Sequence, residues 1–234
     1  MSKFAQRSGQ TELIDEPGIP FSDWAVCLRE LNTINTWLGG HAITLAGVKK
    51  LLHLSTTPVR IAEIGCGGGD NLRAIHNWNN RSTYAISYTG IDLNKACVEF
   101  AEQQCSDLPG KVFINSDYRQ VKFEKNEKPS IIFNSLFCHH FTNEQLIEML
   151  GWMKSNATIG FFINDLQRHP VAYYSIKWLT ALFSRSYLVK HDAPVSVIRG
   201  FSRQEWRQLL KLAGISNYTI QWRWAFRYLI TVRV

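Results

Sequence analysis

A cluster of four glycines directly after a short apolar run constrains the fold of this chain more than any other stretch. Residues 59–64 (VRIAEI) are mostly apolar and β-branched and follow a proline, which predicts a buried strand. The glycines lie within residues 65–69, and apolar residues then recur at helical spacing from Leu72 onward. Strand, glycine loop and helix in this order bring backbone N–H groups to a ligand at a helix N-terminus.

The loop is unsuited to a phosphate ligand. A dinucleotide-binding fingerprint needs glycine at its first, third and sixth positions. Gly65 and Gly67 fill the first two, but Asp70 stands at the sixth, and the Gly-Lys-Ser/Thr ending of a P-loop is absent. Glu63 adds a second acidic group, so the rim favours a cation or a sugar hydroxyl over a pyrophosphate. A plain tight turn is the competing interpretation.

Residues 63–69, Glu-Ile-Gly-Cys-Gly-Gly-Gly, resemble motif I of the class I S-adenosylmethionine-dependent methyltransferases. The ligand of that family carries a sulfonium, an ammonium, a carboxylate and a ribose, and no phosphate. The resemblance covers residues 59–234 and implies S-adenosylmethionine as cofactor. It also implies an α/β fold with a Rossmann-like, doubly wound, seven-stranded sheet, mostly parallel with a C-terminal antiparallel hairpin, plus N-terminal helices and a helical lid.

Acidic residues end the next two predicted strands. Asp92 lies about 20 residues after the glycine loop, where a carboxylate can accept both ribose hydroxyls, although a helix cap is the alternative. In the family an acidic residue after the third strand accepts from the adenine amino group. Asp117 matches that position, with Tyr118 available to stack, and a turn-forming role is the alternative. The predicted cofactor-binding residues are Glu63, Gly65, Cys66, Gly67, Gly69, Asp92, Leu93, Asp117, Tyr118, Asn134 and Ser135.

The fourth predicted strand, residues 129–137, is apolar enough to be buried on both faces and leads to His139 and His140. Ligands of open α/β sheets bind outside the carboxyl ends of the strands, so the histidines are predicted beside the cofactor. Either one suits the removal of a proton from a phenol or similar hydroxyl. Neighbours on an extended segment point opposite ways, so only one is expected to face the pocket. Packing or capping of the next helix is the alternative, and without a visible third ligand no metal site is predicted.

The end of this strand also bears on the acceptor. In DNA methyltransferases, and in some RNA and protein N-methyltransferases, this strand ends in Asn/Asp-Pro-Pro-Tyr/Phe. Residues 134–137 are Asn-Ser-Leu-Phe and contain no proline, which disfavours methylation of the amino groups of bases. Residues 135–141 and 165–168 resemble bacterial small-molecule methyltransferases linked to phenolic or polyketide products. That resemblance implies a small aromatic or polyketide-like acceptor, methylated at a hydroxyl.

Two regions flank the predicted core. Residues 1–57 are interpreted as an N-terminal helical cover that is poorly ordered up to about residue 20. Two helices are predicted after that point. The first is expected to be capped by Ser22 or Asp23, and the second to cover residues 42–54. Residues 58–234 form the predicted methyltransferase domain.

That domain carries an aromatic and basic insertion at about 170–200, interpreted as a substrate lid. A helical pair completing the core is the alternative. Before this insertion, Thr142 and Gln145 have the spacing of a capping box at the start of the helix that follows the fourth strand. The predicted substrate contacts are Arg168, Tyr174 and Trp178, with an ion pair between Arg168 and Asp165 as the alternative for the arginine.

Charge and cysteine content bear on partners and compartment. The net charge of +7 arises from a balance of −2 up to Trp152 and +9 from Met153 onward, which indicates an acidic partner for the C-terminal part. Nucleic acid, anionic lipid and a phosphorylated or carrier-bound acceptor all fit, and a solvated basic surface is the alternative. Five cysteines without a Cys-x-x-Cys pair indicate reduced thiols, and with neither a secretory signal nor a membrane span the cytoplasm is expected. A non-catalytic cofactor-binding subunit and a nicotinamide oxidoreductase are the other rivals.

Overall fold

The computed structural model describes residues 3–16, 18–53, 58–82 and 84–234. The strands are β1 (Val59–Ile64), β2 (Ile86–Asp92), β3 (Val112–Asn115), β4 (Ile131–Ser135), β5 (Gly160–Leu166), β6 (Tyr218–Arg223) and β7 (Arg227–Arg233). The helices are α1 (Phe21–Trp37), α2 (Gly40–Leu52), α3 (Asp70–Asn79), α4 (Lys95–Gln104), α5 (Asn143–Asn156), α6 (Pro170–Phe183), α7 (Tyr187–Arg199) and α8 (Arg203–Leu212). None of the helices in these ranges is long and apolar enough to cross a membrane.

The strands form one sheet in the order β3-β2-β1-β4-β5-β7-β6. Strands β1 to β5 are parallel, and β7 runs antiparallel to both β5 and β6. The strand order reverses between β1 and β4, and a crevice opens at such a switch point beyond the carboxyl ends of the strands. This topology confirms the predicted doubly wound sheet with its C-terminal hairpin.

Alternating side chains bury both faces of the sheet. Ile61 and Phe133 pack against α2 and α3, whereas Ala62 and Ile132 pack against α5 and α8 on the other face. Phe133 stacks on Phe162 of the neighbouring strand with ring centroids 4.8 Å apart. The central strands are therefore fixed in position, and the side chains at their carboxyl ends are held by a rigid layer.

The N-terminal segment is folded, contrary to the expectation of poor order. Residues 3–16 lie along α7, and the Asp192 carboxylate accepts hydrogen bonds from the backbone N–H groups of Leu13 and Ile14 at 2.8 and 3.0 Å. The side chain of Arg7 donates to the carbonyl oxygens of Arg199 and Phe141, both at 2.9 Å. These partners lie far away in sequence, so local loop chemistry could not reveal them.

The two predicted N-terminal helices are present, with a different start to the first. Helix α1 begins after Pro20, without a side-chain cap, so the predicted capping by Ser22 or Asp23 is wrong. The fixed φ of proline suits the entry to a helix. Helix α2 ends at Leu52, and the predicted last residue, 54, lies outside the described residues.

Helices α6 and α7 make up the predicted insertion and differ in burial. Leu188 and Val189 of α7 are buried together with Cys27 of α1. In α6 only Thr180 is buried, and Trp178 and Leu182 are about three-quarters exposed. The insertion thus adds a core helix, α7, and an outer helix, α6, beside the carboxyl edge of the sheet.

Candidate active site

A cavity of about 1350 Å³ lies at the carboxyl ends of β1, β2, β4 and β5. Its other walls come from the N-terminal segment, α1, α6 and α7. A volume of this size accommodates a nucleoside together with a second small molecule.

The glycine loop and Asp92 are tied together at the floor of the cavity. The backbone N–H of Gly67 donates to Oδ2 of Asp92 at 2.9 Å, and that of Asn94 donates to Oδ1 at 2.9 Å. Burial raises the pKa of Asp92, and these N–H groups partly offset the shift. The carboxylate predicted to meet the ribose is therefore fixed at the tip of β2, facing the cavity.

Glycine at positions 65 and 69 is required for two different close approaches. A Cβ at Gly65, whose φ is +68°, would lie 2.3 Å from the Phe137 ring beside the cavity. A Cβ at Gly69, whose φ is +77°, would lie 2.8 Å from Sγ of Cys105. Gly69 does not line the cavity, so it allows α3 to pack closely, whereas Gly65, Cys66 and Gly67 do line it.

Glu63 is buried at the end of β1 and lines the cavity. Its Oε1 accepts from Nδ2 of Asn71 at 2.8 Å, and its Oε2 has no hydrogen-bond partner among the described residues. Burial raises the pKa of Glu63 well above its usual value. Thr44 and His41 of α2 contact Oδ1 of Asn71, so α2 orients this amide. Asn71 was not among the predicted site residues.

The end of β3 contributes Asp117, whose carboxylate is engaged locally. It accepts from the backbone N–H and from Nε of Arg119 at 2.9 and 3.0 Å, which lowers its pKa. Tyr118 lines the cavity, but its ring is buried and meets Trp152 edge to face at 5.4 Å. Leu93, 75% exposed, lies at the rim.

Asn134 was predicted to bind the cofactor, but it does not line the cavity. Its side chain is fully buried behind the cavity, where Oδ1 accepts from Sγ of Cys138 at 3.2 Å and the amide faces Sδ of Met149. Ser135 lines the cavity instead, and its Oγ accepts from Nδ2 of Asn164 at 3.1 Å. The alternation of a strand explains the difference, since adjacent residues face opposite sides.

Arg168 does not reach the cavity. It donates to the carbonyl oxygens of Phe4 and Gly200 at 2.9 and 2.6 Å and pairs with Glu205 at 2.9 Å. Both predictions for it, substrate contact and pairing with Asp165, are therefore wrong. The arginine instead holds the N-terminal segment to the start of α8.

Tyr174 and Trp178 lie on the outer face of α6, with 51% and 75% of their surface exposed. They are four residues apart and share a face that does not line the cavity. Ala172, Ile176 and Leu179 occupy the inner face and line it. The helix was correctly predicted, but aromatic content did not reveal which face turns inward.

Both histidines line the cavity, contrary to the expectation that only one would. Cys138–His140 form a 3-10 turn rather than an extended segment, so the rings lie side by side with centroids 4.4 Å apart. Nδ1 of His139 lies 2.8 Å from Oδ1 of Asp165, and Nδ1 of His140 lies 3.1 Å from Oδ2 of Asp15. Both Nε2 atoms turn toward Glu12, at 3.6 Å for His139 and 3.9 Å for His140.

Glu12 and Asp165 were not predicted as partners of the histidines. Burial raises the pKa of Glu12 to about 7, although His140 acts in the opposite direction. Burial also acts to raise the pKa of Asp165, but His139, the backbone N–H of Leu166 and His140 together hold that pKa below its usual value. Asp165 lies at the end of β5, which follows β4 in the chain and lies beside it in the sheet, so the succession of the two strands contained a signal for this pair. No comparable signal pointed to Glu12.

Two arginines complete the surroundings of the turn. Arg199 donates from Nε and Nη2 to the carbonyl oxygens of His139 and His140 at 2.9 and 2.8 Å. Arg227 is 2% exposed and lines the cavity. It donates to Oδ1 of Asn35 at 3.0 Å, while its Nε and Nη1 have no partner in the described part of the chain, and burial lowers its pKa to about 10.

The arrangement of Asp165 and His139 suits proton abstraction. An N–H at Nδ1 donating to Asp165 leaves Nε2 of His139 as an acceptor that faces the cavity. The carboxylate also stabilises the imidazolium formed when Nε2 takes a proton. A histidine held in this way can act on a hydroxyl bound beside the cofactor floor.

The chain is similar to known methyltransferases in sequence and in fold. Residues 61–160 match the methyltransferase domain family. A methyltransferase of phthiotriol and phenolphthiotriol dimycocerosates from Mycobacterium ulcerans is 31% identical over 72 residues, or 31% of this chain and 25% of that protein. Its counterpart from Mycobacterium leprae is 32% identical over 89 residues, 36% of this chain and 31% of that protein. The matched segments span about a quarter to a third of these curated relatives.

The solved structure of the plantazolicin methyltransferase BpumL in complex with SAH shares the fold. It superposes with a TM-score of 0.70 over 94% of this chain and 91% of that chain, at 17% sequence identity. The likeness therefore extends well beyond the segment matched by the domain family.

Proposed function

We propose that the protein transfers the methyl group of S-adenosylmethionine to a small organic acceptor, because residues 61–160 match the methyltransferase domain family and the chain has the fold of a class I methyltransferase. The cofactor class agrees with the predicted resemblance, and BpumL, which has the same fold, was solved with SAH.

The observation that carries this proposal is the joint placement of the glycine loop, Asp92 and the two histidines around one cavity. Asp92, tied to Gly67, can accept from both ribose hydroxyls, and Glu63, whose Oε2 has no partner among the described residues, can meet the ammonium of the methionine part. Asp117 lines the same cavity after β3, which supports a contact with the adenine amino group. These polar groups favour a nucleoside with cationic groups over a pyrophosphate.

In the proposed reaction the acceptor oxygen attacks the methyl carbon while the bond between that carbon and the sulfonium breaks. Nε2 of His139 takes the hydroxyl proton, and Asp165 stabilises the resulting imidazolium. The enzyme mainly aligns the reactants and excludes water, since the sulfonium already activates the carbon. The N-terminal segment, α1 and α6 supply the cover for this purpose.

We further propose an aromatic or polyketide-like acceptor that carries an acidic group. Leu31, Ile176 and Leu179 provide apolar wall for such a molecule. Arg227 is buried, and two of its nitrogen atoms have no partner among the described residues, so it can donate to a carboxylate or a phenolate. The curated relatives are named as methyltransferases of phthiotriol and phenolphthiotriol dimycocerosates, which also supports an acceptor other than nucleic acid.

Five buried cysteines without a disulfide support a reducing compartment, for which we propose the cytoplasm.

Calorimetric titration of the purified chain with S-adenosylmethionine tests the cofactor assignment. Asp92→Ala is expected to weaken binding at least about 100-fold, because hydrogen bonds to a charged acceptor contribute about 1.5–3 kcal/mol each. Asp107→Ala, which removes an exposed carboxylate paired with Arg73, serves as the control and leaves the affinity unchanged. Unaltered affinity in Asp92→Ala, or binding of NAD instead, contradicts the proposal.

A product assay separates an enzyme from a non-catalytic cofactor-binding subunit. The chain is incubated with S-adenosylmethionine and a panel of phenols and phenolic acids, and S-adenosylhomocysteine is quantified. Formation of this product above the acceptor-free rate supports catalysis. Tight cofactor binding without product for any acceptor class supports the subunit interpretation.

A further inference from the structure

We propose that Glu12, His139 and His140 form a binding site for a divalent transition-metal ion. One carboxylate oxygen and the two imidazole nitrogens lie within 4.8 Å of one another. Oε1 of Glu12 lies 3.6 Å from Nε2 of His139, and Oε2 of Glu12 lies 3.9 Å from Nε2 of His140; both separations are too long for hydrogen bonds. Ligands bonded to one Zn²⁺ at about 2.0–2.2 Å lie about 3.4 Å apart, so small side-chain movements complete the site.

The opposite edge of each imidazole ring is held as metal-binding histidines require. Nδ1 of His139 meets Asp165 at 2.8 Å, and Nδ1 of His140 meets Asp15 at 3.1 Å. A carboxylate at Nδ1 places the proton there and leaves Nε2 with its lone pair directed at the ion. Both rings therefore present their metal-binding nitrogen to the same point beside Glu12.

The buried carboxylate of Glu12 supplies an independent indication of a ligand. The residue is only 3% exposed, and its Oε1 has no hydrogen-bond partner within the described ranges. The nearest guanidinium nitrogen, Nε of Arg199, is 3.8 Å away and donates to the His139 carbonyl. A bare carboxylate oxygen in such a place costs free energy, and a bound cation offsets that cost.

The composition of the cluster defines the class of ion. Two imidazoles and one carboxylate suit Zn²⁺, Fe²⁺, Co²⁺ or Ni²⁺, whereas Mg²⁺ and Ca²⁺ prefer oxygen ligands. All three side chains line the cavity, so the remaining coordination positions face the space predicted for the acceptor. Metal ligation and proton acceptance are alternatives at Nε2 of His139. The site itself stands on these three side chains and does not depend on the proposed methyl transfer.

Titration of the chelator-treated full chain with Co²⁺ tests the site directly. Tetrahedral or five-coordinate Co²⁺ gives visible d–d absorption, which we expect to saturate at a single ion per chain and to disappear on addition of Zn²⁺. Glu12→Gln and His140→Ala are each expected to abolish this absorption. Asp15→Asn, which leaves the ligands in place, is expected to weaken Co²⁺ binding about 10–100-fold.

His53→Ala removes an exposed histidine directly after α2 and is the matched control, with unchanged absorption expected. Circular dichroism and S-adenosylmethionine binding establish that each variant is folded. Absence of the d–d absorption in the folded wild-type chain, or the same absorption in Glu12→Gln and His140→Ala, overturns the metal site. Because no acceptor or cofactor is present in the titration, this failure is distinguishable from failure of the proposed methyltransferase activity.

Discussion

Two buried carboxyl groups show how a neighbouring side chain decides the behaviour of a residue. Glu63 and Asp165 both lie at carboxyl ends of central strands and are almost fully inaccessible. Among the described residues Glu63 accepts a hydrogen bond from the amide of Asn71, and burial raises its pKa. Asp165 meets His139, and His139, the Leu166 N–H and His140 together lower its pKa against the effect of burial. The surroundings of Asp165 therefore favour its ionised form, whereas those of Glu63 favour the neutral form in the absence of a cationic ligand.

Glu63→Gln is expected to stabilise the ligand-free protein at alkaline pH. When the pKa of a carboxyl group is higher in the folded than in the unfolded protein, its stabilising contribution to the free energy of unfolding is complete below the pKa of the unfolded state. That contribution is lost as the pH rises toward the pKa of the folded state. The wild-type free energy of unfolding should therefore fall relative to the variant above about pH 4.3, by about 1.4 kcal/mol per pH unit until Glu63 ionises. Urea unfolding at a series of pH values measures this, with Glu127→Gln at an exposed site as control. Parallel stability curves for wild type and Glu63→Gln would refute it.

His139→Gln is expected to separate turnover from cofactor binding. The amide cannot accept the acceptor proton, and loss of a positioned general base lowers kcat by about 10²–10⁴-fold. The cofactor floor around Asp92 is untouched, so the dissociation constant of S-adenosylmethionine should change little. Steady-state kinetics and calorimetry on one preparation provide both values. An unchanged kcat in this variant removes His139 from the reaction.

At the scale of elements, α7 organises the half of the site that local patterns do not reveal. Asp192 in its middle anchors the 3-10 turn at Leu13–Asp15, and Arg199 at its end holds the histidine turn. Together they bring Glu12 and Asp15 to the two imidazoles across more than 120 residues of sequence. The expectation of a poorly ordered N-terminus was wrong because the stabilising partners are remote.

Asp192→Asn is expected to release the N-terminal segment from α7. An amide replaces a charged acceptor for the N–H groups of Leu13 and Ile14, at a cost of about 1–3 kcal/mol. Hydrogen exchange by mass spectrometry should show faster exchange in peptides covering residues 8–16, with β1 unaffected. Asp107→Asn, on the surface, is the control. Equal protection of residues 8–16 in wild type and variant contradicts this anchoring role.

Other elements were predictable because short-range chemistry defines them. The capping box of Thr142 and Gln145 is present at the start of α5, and the glycine loop joins β1 to α3 as predicted. Such features depend on residues a few positions apart. The inner face of α6 was not predictable in the same way, because aromatic residues such as Trp178 occupy the exposed side.

At the scale of the whole molecule, the excess of positive charge after Met153 is partly an internal feature. Of the basic residues in this part, Arg168, Arg199 and Arg227 are at least nine-tenths buried. Two of them hold backbone carbonyls, and Arg227 faces the cavity. The number of basic residues in the sequence therefore overstates the basic surface. The net charge changes little, because Asp165 and Asp192, two of the three acidic residues in this part, are buried as well.

This distribution predicts weak and non-specific binding of RNA. Nine of the twelve basic residues after Met153 lie outside the core and can meet phosphates without reading sequence, so affinity should stay in the non-specific range of about 10⁻⁴–10⁻⁶ M at physiological salt. Fluorescence anisotropy of a labelled single-stranded RNA over a salt series measures both the affinity and the number of displaced counterions. A small-molecule methyltransferase should also form S-adenosylhomocysteine at the same rate with or without competing RNA. Nanomolar, sequence-dependent binding, or inhibition by RNA at such concentrations, would instead favour the nucleic-acid methyltransferase alternative.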